Sequence, residues 1–202
     1  MNSLSEKKLK IGVFGATFDP PHMGHLIAAE WAAEDLNLHQ VLIIPANLNP
    51  LKREHRPAPP EIRLKMVEAA IGNYPQLTVD DIEIRRSGVS FMIDTIDLLR
   101  EKYTARENDF FLLLGADAAA DFKLWWDYER LAQICTIAVF NRPGYELEVV
   151  AASLPAGAVT LKIPMVDISS TSIRHRIRAG KSIRFMTPEP VRQIIEEEGL
   201  YR

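Results

Sequence analysis

Gly12-Val13-Phe14-Gly15-Ala16-Thr17-Phe18-Asp19-Pro20-Pro21-His22-Met23-Gly24-His25-Leu26 is the stretch on which the reading of this chain turns. The apolar run over 9–14 leads into it and reads as a buried strand. A turn of small residues follows, and a helix begins where His22 and His25 stand three apart. Residues at i and i+3 share one side of a helix. The first turn of a helix also carries unpaired N–H groups and a partial positive charge. Together these make an anion site with two imidazoles leaning over it, and a polyphosphate is the natural anion for such a place. A zinc site is the competing reading of two histidines, but zinc takes three or four protein ligands. The single cysteine, Cys135, lies in an apolar run, and His39, His55 and His175 form no cluster with the pair. Capping or surface histidines would account for either residue alone. Their joint placement at a glycine-flanked strand-to-helix turn favours the anion site.

From this stretch onward, strand-like and helix-like segments alternate. Strands are predicted at 40–44, 77–79 (with 82–84 continuing extended), 109–114, 134–140 and 160–163. Helices are predicted at 23–36, 61–71 and 92–103, and a proline-rich loop at 47–60. Right-handed crossovers turn this order into an α/β fold. It is a doubly wound, mostly parallel, Rossmann-like sheet of five to six strands with a C-terminal helical tail. In such sheets ligands bind at the carboxyl ends of strands, where the strand order switches. The first and fourth strands flank that switch. The opening stretch and Gly115-Ala116-Asp117 should therefore converge on one crevice. In the tail, Ser169 or Ser170 caps a helix running to Arg178, with Ile173 and Ile177 inward and Gly180 as the stop. Thr187 is expected to cap a second helix, with Pro188 at its first position and Gly199 at its end. Residues 1–202 are read as a single domain, with a core over 9–164 and a tail over 165–202.

At 202 residues the chain has enough for one good core and too little for two full domains. Its 47% hydrophobic and 25% charged content is that of an ordinary soluble globular protein. A formal net charge of −3 gives no reason to expect nucleic acid or a membrane as partner. The tail is locally basic, with Lys162, Arg174, Arg176, Arg178, Lys181 and Arg184 against Asp167, and part of it reads as phosphate-facing. One cysteine excludes an internal disulfide. No apolar run approaches the ~20 residues that span a bilayer, and the first ten residues lack a signal-peptide core. A cytoplasmic location is expected. The chain lacks the G-x-G-x-x-G of a dinucleotide-binding dehydrogenase after its first strand. It also lacks the G-x-x-x-x-G-K-[S/T] of a P-loop.

The opening stretch, Gly-x-Phe-x-x-Thr-Phe-Asp-Pro-x-His-x-Gly-His, resembles the nucleotidyltransferase signature built on H-x-G-H. Far downstream, Ile168-Ser169-Ser170-Thr171-Ser172-Ile173-Arg174 resembles the I-S-S-T-x-I-R motif of the adenylyltransferase branch. The two in this order are far more specific than either alone. Further pieces resemble bacterial nicotinate-nucleotide adenylyltransferases: Ile44-Pro45 through Lys52, Gly115-Ala116-Asp117, Trp125, Asn141-Arg142-Pro143-Gly144 and Glu197-Glu198-Gly199-Leu200-Tyr201. The resemblance covers nearly the whole chain after the first eight or so residues.

That resemblance implies adenylyl transfer from ATP to nicotinate mononucleotide, with Mg²⁺ arriving with ATP; a homo-oligomer is compatible with it. The alternatives are transfer to nicotinamide mononucleotide or another phosphate acceptor, or a non-catalytic nucleotide sensor. It implies catalytic roles for His22, His25, Lys52 and Arg174. It places ATP against Gly15, Ala16, Thr17, His22, His25, Ser170, Thr171 and Arg174. It places the mononucleotide against Phe18, Lys52, Thr95, Asp117 and Trp125. Arg174 is expected at the helix surface opposite Ile173 and Ile177, and Trp126 in the core. The chain departs from the family pattern at Leu51, where a histidine is usual, and at Phe91-Met92, where Tyr-Thr is usual.

Overall fold

A computed structural model describes residues 8–50, 57–103 and 108–202. In chain order its elements begin with β1 (Leu9–Ala16), α1 (Met23–Asp35), β2 (Gln40–Pro45), α2 (Pro60–Ile71) and β3 (Leu77–Val79). Next come α3 (Ile82–Arg86), α4 (Met92–Lys102), β4 (Asn108–Gly115), α5 (Ala116–Ala120) and α6 (Tyr128–Ile134). The chain closes with β5 (Thr136–Phe140), α7 (Leu147–Ala152), β6 (Val159–Leu161), α8 (Ser170–Arg178) and α9 (Glu189–Glu197).

Successive strand residues point to opposite faces, and this alternation builds two layers. Ile11, Val13, Leu42 and Ile44 pack on α4 through Ile93, Ile96 and Leu99, and on α5, α6 and α7. Phe14, Val41 and Ile43 pack on the other side against Ala28, Ala29, Ala32 and Ala33 of α1 and Val67 of α2. The alanine face lets α1 lie close to the sheet. Both sheet faces are covered, so the strands are apolar throughout, as parallel strands are.

The six strands run β3-β2-β1-β4-β5-β6, every neighbouring pair parallel. The order switches between β1 and β4, as the motif placement requires. A third apolar cluster joins the tail to the core: Met66 of α2 meets Ile173 of α8 and Val191, Ile194 and Ile195 of α9. Among the described residues no helix is long and apolar enough to cross a membrane.

The structure departs from the sequence-based elements in several places, and the sixth strand ends at Leu161. Residues 82–84 are helical, not extended: the Asp80 carboxylate accepts from the Ile82 amide (3.1 Å), and Arg85 pairs with Asp81 one turn back (2.7 Å). The fifth strand starts at Thr136, because Ile134 still belongs to α6. Thr187 does not cap α9. Pro188 takes that position, and the Thr187 hydroxyl donates to the Pro21 carbonyl (2.8 Å).

Candidate active site

β1 and β4 are neighbours at the switch in strand order, the place where such sheets bind ligands, and the loop after β1 leaves the sheet there. Phe18 sits in the left-handed region (φ 50°) with its ring turned inward. That ring is buried edge-on to Phe14 (5.7 Å) and His25 (4.9 Å). Phe18 therefore buttresses His25 from the core. Its ring is not on a surface facing the expected mononucleotide side.

His22 is the extended residue preceding α1. Its ring is buried and stacks on His25, with centroids 3.7 Å apart and planes 26° apart. The His22 main-chain N–H donates to His25 Nδ1 (3.2 Å). In the neutral imidazole that bond leaves the His25 proton on Nε2. Burial, and after it the positive charge of Arg142, push His22 down to about 3. It is neutral at physiological pH, with Nδ1 buried. The two histidines thus differ: His25 is half-buried and oriented by a main-chain bond, while His22 is an uncharged ring stacked on it. Gly24 fits this arrangement because a Cβ there would lie 3.2 Å from the His22 ring.

The second motif meets the first in space. Ser169 caps α8, accepting from the Ser172 amide (3.1 Å). The Ser170 hydroxyl donates to the Pro20 carbonyl (2.8 Å). Arg174 Nη1 donates to the Asp19 carbonyl (2.7 Å) and lies 3.8 Å from its carboxylate, while Nη2 donates to Thr171 Oγ1 (3.1 Å). The Arg174 side chain is only 12% exposed, so the expected surface arginine is instead tucked against the first motif. The Met23 amide donates to the Met186 carbonyl (3.0 Å), so this N–H of the first turn of α1 is already used. Tyr201, near the chain's end, donates to Asp19 Oδ1 (2.6 Å), and burial beside that carboxylate pushes its phenol up.

The remaining expected residues divide. Gly15, Ala16 and Thr17 line the turn half-buried; the Thr17 hydroxyl is buried, with no partner among the described residues. The Met92 methyl covers Gly15, 2.5 Å from where a Cβ would stand. Asp117 is exposed in the first turn of α5, and Thr171 is exposed at the start of α8. Thr95 is fully buried and its hydroxyl donates to Glu83 (2.7 Å), so its side chain points into the interior. Trp125 is half-buried against Phe122 (5.8 Å), with its indole N–H buried and without a partner among the described residues. Trp126 is not a core residue: it is 69% exposed and stands 6.2 Å from Phe91. Lys52 and Leu51 lie outside the described residues.

Comparison with known proteins bears on the whole chain. The Cytidylyltransferase-like family model matches residues 13–176. A Roseiflexus sp. (strain RS-1) protein named a "Probable nicotinate-nucleotide adenylyltransferase" is 42% identical over 197 residues, covering 95% of this chain and 98% of its own length. A protein of the same name from Exiguobacterium sibiricum is 40% identical over 195 residues, covering 96% and 99%. The chain belongs to the nicotinate-nucleotide adenylyltransferase family. Its fold is also that of Plasmodium falciparum nicotinic acid mononucleotide adenylyltransferase complexed with NaAD. That structure superposes with a TM-score of 0.79 over 96% of this chain and 97% of the other, at 19% identity.

Within this family fold, two arginines near the switch point had no role in the sequence reading. Arg63 is fully buried on α2 and donates to the carbonyls of Ala58, Thr17, Ala46 and Asn47 (2.5–3.0 Å). It ties the motif turn to the end of β2. A lone arginine amid the polar positions of a helix gives no sign of this. Arg142 follows β5 and reaches to Asp117 (Nε–Oδ1 3.6 Å). Its signal was present, since Asn141-Arg142-Pro143-Gly144 is among the pieces that resemble the family.

Proposed function

We propose that the protein transfers the adenylyl group of ATP to nicotinate mononucleotide, forming nicotinate adenine dinucleotide and pyrophosphate. One observation carries this reading. The starts of α1 and α8, with His22, His25, Ser170, Thr171 and Arg174, are bound together through the loop 19–23 at the carboxyl ends of β1 and β4. Two helix starts and a cluster of cationic and hydroxyl side chains at a topological switch suit a polyphosphate. The relatives named for this activity support the choice of acceptor.

In the proposed reaction an oxygen of the acceptor phosphate attacks the α-phosphorus of ATP. The α–β bridging oxygen leaves with pyrophosphate. A nucleotide monophosphate has a second pKa of ~6 and is dianionic at neutral pH, so the step needs no general base. The protein's task is positioning and charge stabilisation. His25 Nε2–H donates to an α-phosphate oxygen as charge gathers there. Neutral His22 holds the His25 ring in place by stacking. Ser170, Thr171 and Arg174 receive the outer phosphates, with Gly15, Ala16 and Thr17 lining the turn. Lys52 is the proposed cation of the loop after β2, Asp117 the group for ribose hydroxyls, and Trp125 the ring for the pyridine base. Magnesium comes as the ATP complex. Among the described residues no group of three or more His, Cys, Asp or Glu side chains converges to hold it, and Mg²⁺ commonly binds through phosphates and water. Core and tail act as one domain, a reading supported by the bonds from the tail to the loop 19–23.

The test is pyrophosphate release with Mg-ATP and, in turn, nicotinate mononucleotide, nicotinamide mononucleotide and phosphopantetheine. Nicotinate mononucleotide is expected to give the highest kcat/KM. A preference for either other acceptor overturns the acceptor, and release with none of them overturns the transfer.

A further inference from the structure

Arg142 is held by a built turn. The Asn141 side-chain amide donates to the Ile163 carbonyl (3.0 Å) and accepts from the Ile163 amide (2.7 Å), fixing the end of β5 to the chain beyond β6. The Tyr145 amide donates to the Arg142 carbonyl (3.2 Å), with Gly144 at φ 82° inside the turn. From this base the side chain crosses the sheet. A Cβ built on Gly115, at the end of β4, would stand 3.1 Å from Arg142 Cγ and 3.3 Å from Cδ. A Cβ built on Gly24, in the first turn of α1, would stand 3.8 Å from Nη1. The stem therefore lies over β4 and the guanidinium lies over the H-x-G-H turn.

The guanidinium carries five N–H donors. Among the described residues they make no hydrogen bond, and the nearest carboxylate oxygen, Asp117 Oδ1, is 3.6 Å away, beyond hydrogen-bond length. The side chain is only 20% exposed, so these donors are partly desolvated as well as unfilled. Two neighbouring groups at the start of α1 have less positive charge to offer an anion there. His22 is held neutral, and Arg174 is bonded to Asp19 and Thr171. A pre-positioned, weakly partnered guanidinium is a receptor for a phosphate oxygen, which takes its planar fork with charge-assisted bonds.

We propose that Arg142 is a catalytic residue of this site, binding an oxygen of the ATP polyphosphate over Gly24 and stabilising the charge that moves onto pyrophosphate as it leaves. The assignment deepens the adenylyl-transfer reading and rests on it for the reaction, but not for the anion. Asp117 holds the guanidinium loosely enough to hand it over.

The experiment compares wild type, Arg142→Ala and Arg142→Lys by calorimetry with ATP and with inorganic tripolyphosphate, and by kcat and KM for each substrate. Arg142→Ala should lose about tenfold or more in affinity for both ligands. Its kcat should fall ~10²–10³, the usual cost of one transition-state donor. The KM for the acceptor and the melting temperature should stay near wild type. Arg142→Lys should recover binding more than turnover, because a point charge replaces a fork. If Arg142→Ala fails to fold, Arg142→Gln keeps the stem over Gly115 and carries the same comparison. Unchanged ATP and tripolyphosphate affinity in a folded variant overturns the proposal, as does an effect confined to the acceptor KM. Two outcomes separate the claims. Wild type that transfers while Arg142→Ala is indifferent leaves the function standing without Arg142. Wild type that binds tripolyphosphate through Arg142 but transfers to no acceptor keeps the anion contact, and overturns both the function and the catalytic role of Arg142.

Discussion

Replacing Arg63 with methionine tests how the turn after β1 is held. Arg63 is fully buried, and its guanidinium donates to Ala58 (2.9 Å), Thr17 (2.8 Å), Ala46 (2.5 Å) and Asn47 (3.0 Å). Burial pulls its pKa down, and Asp19 foremost among nearby charges pulls it back up. Methionine fills much of the stem's volume but leaves those carbonyls without this donor. Each hydrogen bond to a charged group is worth ~1.5–3 kcal/mol net. The bonds share one group and do not add, and removing the charge also returns its desolvation cost. Breaking a buried charged network typically costs ~3–5 kcal/mol, and that is the expected loss. For a chain of this size each kcal/mol lowers Tm by ~2–4 °C, so the shift should be roughly 6–20 °C. Turnover should fall as well, because Thr17 and the chain after β2 lose their common anchor. Thermal unfolding by circular dichroism and kcat/KM on the same preparation decide it. A Tm within about 3 °C of wild type, less than ~1.5 kcal/mol, refutes the account of Arg63 as the tie between these segments.

Further outcomes follow from the same geometry. His25→Ala should lower kcat ~10²–10³ with a smaller change in ATP affinity; near-normal turnover in a folded variant removes His25 from the transition state. Tyr201→Phe deletes the donor to the Asp19 carboxylate and should cost ~1–3 kcal/mol with a raised KM for ATP, and an unchanged urea midpoint would sink that link. His22 has a folded-state pKa of about 3 against 6.5 when unfolded, so the unfolded chain binds the extra proton as pH falls. Its contribution is full above 6.5 and lost progressively toward 3, at ~1.4 kcal/mol per pH unit, or ~2 kcal/mol by pH 5. Urea unfolding at pH 7 and pH 5 should show a steeper loss in wild type than in His22→Gln; equal losses refute the neutral buried ring.

The sheet was legible because its strands are short apolar runs bounded by turns, and buried parallel strands need nothing more elaborate. The switch point was legible because the two glycine-bearing turns follow the first and fourth runs. The short helix α3 was missed because its stop and start depend on Asp80 and Arg85 side chains, which periodicity does not register. At the site, the motifs were readable but their contacts were not. Phe18 turns inward because its backbone is left-handed, and no residue type announces that. Thr95 could have been placed: with Leu99 four residues on, it lies on the same buried stripe of α4. The tandem Trp125-Trp126 could not be resolved from sequence, since the 3₁₀ turn over Phe122–Leu124 decides which ring meets Phe122 and which meets solvent.

Asp19 shows why two motifs so far apart in the chain form one structure. It is 2% exposed, and burying a carboxylate costs several kcal/mol unless it is paired and hydrogen-bonded. Among the described residues its partners include the Ala58 amide ahead of α2, Arg174 of α8 and Tyr201 at the end of the tail. None of these is local, so the loop 19–23 reaches this packing only with the tail docked on α2. Ser170 and Thr187 add bonds to Pro20 and Pro21, whose missing N–H groups leave their carbonyls as the only main-chain sites to hold. The position of His22 and His25 is therefore a property of the folded tail as much as of the strand before them. A chain ending before α8 would keep the histidines in sequence and leave a buried carboxylate without Arg174 and Tyr201. The two motifs are thus one packed unit, with the loop 19–23 bonded to the tail through Ser170, Arg174, Thr187 and Tyr201.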